Sequence, residues 1–269
     1  MKKYRLCPVL AFAAVLQNLI ILTAVFAGSE NRPEQEKIWE QAFSLRQQAV
    51  EEKYGLKFEA GWKPRVVFGI PDYYLPKNYG LFEAEYDLDT QSFKVHPGFR
   101  KEEMALKFFQ PGIKSYRAHR YSPDYFRQMI DHELGHALAD QFSRRQGKGI
   151  WPDFNHLDTL PWTKRYGIIM QFEGVGKYSS FVSVINPDQA LEVYWPEEAN
   201  EWFFIFSREN TVYYGGYTLV KPILDRFRGQ GLAYLIKNPF SFPDGNVKAA
   251  ARNYQAKAIF DLAPKEGER

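Results

Sequence analysis

The longest regular pattern of hydrophobic positions runs from Ser122 to Arg145. Apolar residues recur there at every fourth position, which is the spacing of one face of an α-helix. The apolar row is Phe126, Ile130, Leu134, Leu138 and Phe142, and a row roughly opposite holds His132, His136 and Asp140. Gly135 and Ala139 form a third strip of small residues, where another backbone can come close. The pattern predicts a helix with one side in a core and the other toward a cleft.

Five further segments have the composition or period of helices. They are residues 29–54, 168–178, 192–206, 219–236 and 247–262. Gly229 and Gly231 are expected to interrupt the fourth of these, and Asn238-Pro239 to end it. The intervening stretch Trp151 to Trp162 is rich in Pro, Asp and Asn, lacks a period and is predicted to be a loop.

Strand-like segments precede the central helix. Arg65 to Ile70 looks like a buried strand, and Leu81 to Leu88 and Ser92 to Val95 look like two strands joined by a turn at Asp89-Thr90. The predicted fold is therefore α+β, a mostly helical body with a small antiparallel sheet before the central helix. An edge strand of this sheet could pair with an extended peptide through backbone hydrogen bonds.

The first 27 residues differ from the rest of the chain. They begin with Lys2, Lys3 and Arg5, contain no acidic residue and continue with an apolar run from Cys7 to Phe26. This is the pattern of a secretory signal peptide cleaved near Ala27, and an uncleaved membrane anchor is the alternative. Residues 28–269 are then expected to be one exported domain, periplasmic or secreted.

Length, composition and charge limit the kinds of protein to which the chain could belong. The chain has 269 residues, of which 45% are hydrophobic and 17% aromatic, enough to fill a core. Its net charge of +3 comes from the three basic residues at the N-terminus, because the other basic residues balance the 32 acidic ones. A neutral body offers no electrostatic reason to expect nucleic acid as a partner.

The string His132-Glu133-Leu134-Gly135-His136 has the H-E-x-x-H spacing. Histidines four residues apart on a helix can reach one metal ion, and the adjacent glutamate can take a proton from a bound water. The residues therefore predict a zinc site with Glu133 as general base. A solvated helix face is the plainer interpretation, but Lys and Glu are more usual on such a face.

Two residues compete to be the third ligand. Glu173 is a lone carboxylate inside the apolar segment 168–178, and burying it is costly unless it is paired or bound to metal. His156 has suitable chemistry but lies on the Pro-rich loop. We favour Glu173, because a ligand on a helix is held more rigidly.

Tyrosines follow in the segment Tyr213-Tyr214-Gly215-Gly216-Tyr217, which is predicted to be a glycine-flexed turn. A phenol there could donate to the oxyanion of a tetrahedral intermediate, with Tyr217 and Tyr214 as the candidates. A turn that only packs its aromatic rings is the alternative.

The string H-E-L-G-H-A-L-A-D-Q-F at 132–142 resembles that of zincin-type metallopeptidases, in which a Glu-Gly pair follows downstream, as Glu173-Gly174 does here. The gluzincin-like resemblance implies His132, His136 and Glu173 as zinc ligands and Glu133 as base. Asp140 would then orient a ligand ring from outside the coordination shell.

The expected function is that of an exported zinc metallopeptidase acting on peptides or proteins. Two alternatives are a non-catalytic zinc protein of the cell envelope and a zinc hydrolase of non-peptide or cell-wall amide bonds. If the N-terminal segment is not cleaved, the protein would be membrane-associated.

Overall fold

Helices make up most of the computed structural model, which describes residues 32–68, 84–95, 123–180, 195–206 and 209–264. The helices are α1 (Arg32–Tyr54), α2 (Pro123–Arg145), α3 (Phe154–Leu157), α4 (Trp162–Ser180), α5 (Glu201–Phe206), α6 (Gly216–Lys237) and α7 (Val247–Leu262). The strands are β1 (Val66–Phe68), β2 (Ala84–Asp87) and β3 (Ser92–Val95). A mostly helical α+β fold is thus confirmed. The predicted signal segment, residues 1–27, lies outside the described residues.

Helix α4 lies at the centre of the fold. Every residue from Tyr166 to Gly176 is buried, as expected for a helix that is apolar on nearly all sides. It packs against α2 on one side and α6 on the other, while α1 packs on α2 and β1, and α7 on α6. A charged side chain on α4 is therefore held among packed helices.

The crossing of α2 and α4 is unusually close. A Cβ built on Gly135 would lie 3.3 Å from the Cα of Gly176 and would collide with the hydroxyl of Ser179. The phenol of Tyr54, at the end of α1, donates to the carbonyl of Val175 over 2.6 Å and ties a third helix to the crossing. The predicted approach of another backbone at Gly135 is confirmed, and it places α2 side chains directly against α4.

The sheet has the order β1-β3-β2 and is mixed. Strands β2 and β3 form the predicted antiparallel hairpin, but β1 runs parallel to β3, with Val66 beside Phe93. The prediction of a wholly antiparallel sheet is therefore wrong. Phe93 is fully buried and stacks on Phe43 of α1 at 4.0 Å, which draws β3, and not β2, into the centre of the sheet.

Two further predictions, both in the C-terminal half of the chain, are wrong. The predicted turn at Tyr213 to Tyr217 is helical, because a π-helical segment, Glu209–Gly215, continues directly into α6. The helix expected from residue 192 begins only at Glu201. Residues 195–200 are not helical and include Pro196, while residues 192–194 lie outside the described residues.

Other helix ends lie where the sequence predicts them. Helix α7 has the predicted bounds, and α6 ends at Lys237, just before Asn238-Pro239. The expected break in α6 falls at Arg228, which has φ 45° and ψ −119°, immediately before Gly229. None of the helices in the described ranges has the length and hydropathy needed to cross a bilayer.

Candidate metal centre

Helices α2 and α4 bring three metal-binding side chains together. The Nε2 atoms of His132 and His136 lie 3.0 Å apart, as expected for successive turns of one helix. From α4, Oε2 of Glu173 approaches these two nitrogens to 3.1 and 3.6 Å, respectively. These three residues form a cluster that could hold a metal ion.

The spacing of the donor atoms fits a small tetrahedral ion. Bonds of about 2.0–2.1 Å at the tetrahedral angle place two ligand atoms about 3.3 Å apart. The three observed separations, 3.0, 3.1 and 3.6 Å, lie on either side of that value. Two imidazoles and one carboxylate are also a ligand set that zinc prefers in catalytic sites. The chemistry and the distances of the cluster therefore agree.

Gly176 makes the cluster possible. A Cβ at this position would lie 2.7 Å from Cε1 of His132 and from both Cε1 and Nε2 of His136. The two rings therefore occupy the space beside α4 that a side chain would fill. Glu173 is three residues earlier on the same helix, so one helical turn supplies both the carboxylate and the gap.

The protonation states of Glu173 and His132 suit a cation. Burial alone raises the pKa of Glu173, but hydrogen bonds from His132 and His136 outweigh it and hold that pKa far below its usual range. Burial lowers the pKa of His132 to about 4, despite the opposing bond to Glu173. Neutral imidazole and ionised carboxylate are the forms that bind metals.

Glu133 lies beside the cluster and is itself buried. Its Oε2 accepts a hydrogen bond of 2.7 Å from the backbone N–H of Tyr86 on β2. Burial, followed by repulsion from Glu173, raises its pKa well above the usual range for a glutamate. A carboxylate with a raised pKa and one oxygen held by an amide is suited to accept a proton.

Asp140 has a different role from the one predicted. Its fully buried carboxylate accepts from Nε of Arg144 at 2.9 and 3.0 Å and from the phenol of Tyr86 at 3.2 Å. Arg144 also donates to the carbonyl of Leu88. Asp140 therefore joins α2 to strand β2 and does not orient the ring of His136, whose buried Nδ1 has no hydrogen-bond partner in the described part of the chain.

The remaining candidates have different surroundings. His156 is exposed on α3 and contacts Thr159, so the structure does not bring it to the histidine pair. Tyr217 is buried, and the ring of Tyr214 lies 4.8 Å from the ammonium of Lys177. The ring of Tyr213 contacts the cluster, with its centroid 5.8 Å from that of His132. The candidates from the sequence were Tyr217 and Tyr214, and no local signal in the segment singled out Tyr213.

The outer edges of the sheet are occupied by glutamates. On β1, the amides of Val66 and Phe68 donate to Glu40 and Glu36 of α1. On β2, the Tyr86 amide donates to Glu133. These amides are therefore engaged within the chain, and the pairing of a peptide with the sheet edge stays a prediction that would require these glutamates to be displaced.

Comparisons with known proteins add no relative: no family model, curated protein or solved structure matches the chain. The resemblance of residues 132–142 to zincin-type sequences thus stands on the motif alone. The side chains and their geometry carry the functional assignment.

Proposed function

We propose that the chain is a zinc-dependent hydrolase, a zincin-like metallopeptidase, with His132, His136 and Glu173 as the zinc ligands. The observation that carries this proposal is the triangle of donor atoms, with sides of 3.0, 3.1 and 3.6 Å, beside a buried glutamate. The H-E-x-x-H spacing supports it independently.

The chain's own residues have distinct roles in the proposed reaction. When bound, zinc lowers the pKa of water and polarises a carbonyl. Glu133 accepts the proton of the attacking water and passes it to the leaving amine, while the Tyr86 amide holds Oε2 and leaves Oε1 for the transfer. The phenol that donates to the oxyanion would be Tyr213, whose ring contacts that of His132, or one of the sequence candidates Tyr214 and Tyr217.

One experiment tests metal and chemistry separately. The purified full-length chain should contain about one zinc per molecule by elemental analysis and should cleave members of a peptide library. Glu133→Gln should keep the zinc and lose at least ~100-fold in kcat, because general-base catalysis contributes roughly that much. Glu198→Gln, at an exposed position, is the matched control and should change neither quantity. Full hydrolysis by the Glu133→Gln variant would refute the assignment.

A non-catalytic zinc protein is the second candidate, because the cluster is nearly closed. The side chains of His132, His136 and Glu173 are only 13%, 4% and 8% exposed. A structural site would bind zinc without hydrolysis of any peptide or cell-wall fragment. Testing wall fragments beside the peptide library also distinguishes a hydrolase of non-peptide amides.

We further propose that the protein acts outside the cytoplasm on peptide or protein substrates. The basic and then apolar composition of residues 1–27 supports export, with an uncleaved anchor as the alternative. Fractionation of cells expressing the full chain, with N-terminal sequencing, would distinguish a cleaved, a membrane-bound and a cytoplasmic product.

A further inference from the structure

The ring of His136 is packed against an aromatic side chain. It stacks on Phe172 with centroids 3.8 Å apart and planes 16° apart. Phe172 in turn makes T-shaped contacts with Trp151 and Phe154, with ring centroids 5.7 and 5.3 Å apart. Phe172 is 3% exposed, so its ring is held firmly in this orientation. The plane of the His136 imidazole is therefore set by a fixed aromatic surface.

Within the described ranges, the second nitrogen of His136 lacks the partner that a ligand histidine usually has. A metal-binding imidazole normally donates its other N–H to a carboxylate, a backbone carbonyl or water, which fixes the ring and its tautomer. Among the residues that the structure describes, Nδ1 of His136 has no hydrogen-bond partner, and the atom is buried. Asp140, one turn later, is engaged by Arg144 and Tyr86.

The orientation of this ring depends on rotation about χ2, which is intrinsically broad for histidine. An acceptor at Nδ1 would restrict that rotation, and in this protein stacking is what restricts it. Because Nε2 of His136 has to face His132 and Glu173, a change in the ring plane would move a donor atom out of the cluster.

We propose that Phe172 is the positioning residue of His136, with an aromatic stack in place of the usual hydrogen-bond acceptor. The inference rests on the proposed metal site. Phe172 touches neither substrate nor metal in this assignment and acts only through the ring of His136. The site thus has one ligand histidine whose orientation depends on dispersion and shape rather than on a polar partner.

Metal affinity and a spectroscopic signature test the proposal in the full-length chain. Zinc affinity is measured by competition with a chromogenic chelator, and the geometry of the site by the absorption bands of bound Co²⁺. Phe172→Leu should weaken zinc on the order of 10- to 100-fold, the usual effect of losing an outer partner of a ligand, and should shift the cobalt bands. Phe172→Tyr keeps the ring and should stay within about threefold of the wild type, since the stack is retained.

The matched control is Phe204→Leu. Phe204 is also fully buried, and its ring stacks on those of Tyr166 and Phe242. It lies on α5, and its ring contacts among the described residues do not include His132 or His136. This variant should lose stability while keeping zinc affinity and the cobalt spectrum. An equal loss of affinity in Phe204→Leu would mean that general loosening explains the result, and would overturn the proposal.

The remaining outcomes are also decisive. Unchanged affinity and unchanged cobalt bands in Phe172→Leu overturn this inference alone. If that variant does not fold, Phe172→Met, which conserves volume without a ring, replaces it under the same criteria. A wild-type chain that binds neither zinc nor cobalt overturns the proposed function, and with it this inference.

Discussion

Gly176→Ala is the smallest change that should disable the cluster. The added methyl group would lie 2.7 Å from atoms of both histidine rings, whereas ordinary contact begins at 3.4 Å. The rings, or α4 itself, must therefore yield by about 0.7 Å. Metal–ligand distances tolerate only about 0.2 Å. We expect zinc affinity to fall on the order of 100-fold, measured by chelator competition on the purified full-length variant.

Stability should change much less than affinity in the same variant. Alanine is favoured over glycine inside a helix by about 1 kcal/mol. Overpacking a buried site costs about 1–3 kcal/mol, so the net loss for the metal-free protein should be roughly 0–2 kcal/mol. Urea denaturation of the metal-free wild type and variant measures this difference. The variant should therefore fold, and its zinc affinity can be measured.

Gly174→Ala is the control for Gly176→Ala. It adds the same methyl group to the same helix, but on the side facing α6, where it meets the backbone of Gly216. It should lower the melting temperature while the folded fraction still binds zinc. If Gly176→Ala binds zinc as tightly as the wild type does, the close approach of both rings to Gly176 is not a feature of the binding site, and the reasoning fails.

Three further predictions concern stability. In the metal-free protein, burial lowers the pKa of His132 to about 4, below its unfolded value near 6.5. The free energy of unfolding should therefore fall on the order of 3 kcal/mol as the pH drops from 6.5 to 4, because only the unfolded chain binds a proton there. Urea melts of the His132→Gln variant should lack this pH dependence. Arg228→Gly should raise the melting temperature by about 2–4 °C in calorimetry, because glycine adopts φ 45° at little cost; an unchanged or lower value would contradict strain at this kink. Tyr86→Phe removes a donor from buried Asp140 and should cost about 1–3 kcal/mol in urea melts while zinc stays bound. Tyr254→Phe, which loses a phenol bond to the carbonyl of Asn238, should have the same two effects; loss of zinc from Tyr86→Phe alone would show that the Tyr86 phenol also supports the cluster.

The helical framework of the site was readable from the sequence because its signals are local. A row of apolar residues every four positions fixed α2, and the two histidines on its other side followed from the same geometry. Glu173 was recognisable because a lone carboxylate in an apolar helix needs a compensating partner. The structure does bring it, and not His156, to the histidine pair.

What the sequence did not reveal depends on contacts between distant segments. The mixed sheet results from the packing of Phe93 on Phe43, and no local pattern specifies which strand of a hairpin pairs with β1. The bond from the Tyr86 amide to Glu133 follows from that strand order, so it was equally hidden. The prediction of a turn at Tyr213 to Tyr217 was wrong because tertiary packing overrode the preference of Gly215 and Gly216 for turns.

The glutamates on the two edges of the sheet also bear on solubility. An open strand edge offers unpaired amides to a second molecule and is a common origin of aggregation. Here Glu36 and Glu40 accept from two amides of one edge and Glu133 from the Tyr86 amide of the other, so the proposed general base also occupies an edge amide that a second molecule could otherwise bind. Removing that carboxylate altogether should make the protein more prone to aggregate than Glu133→Gln, which keeps an acceptor oxygen for the Tyr86 amide.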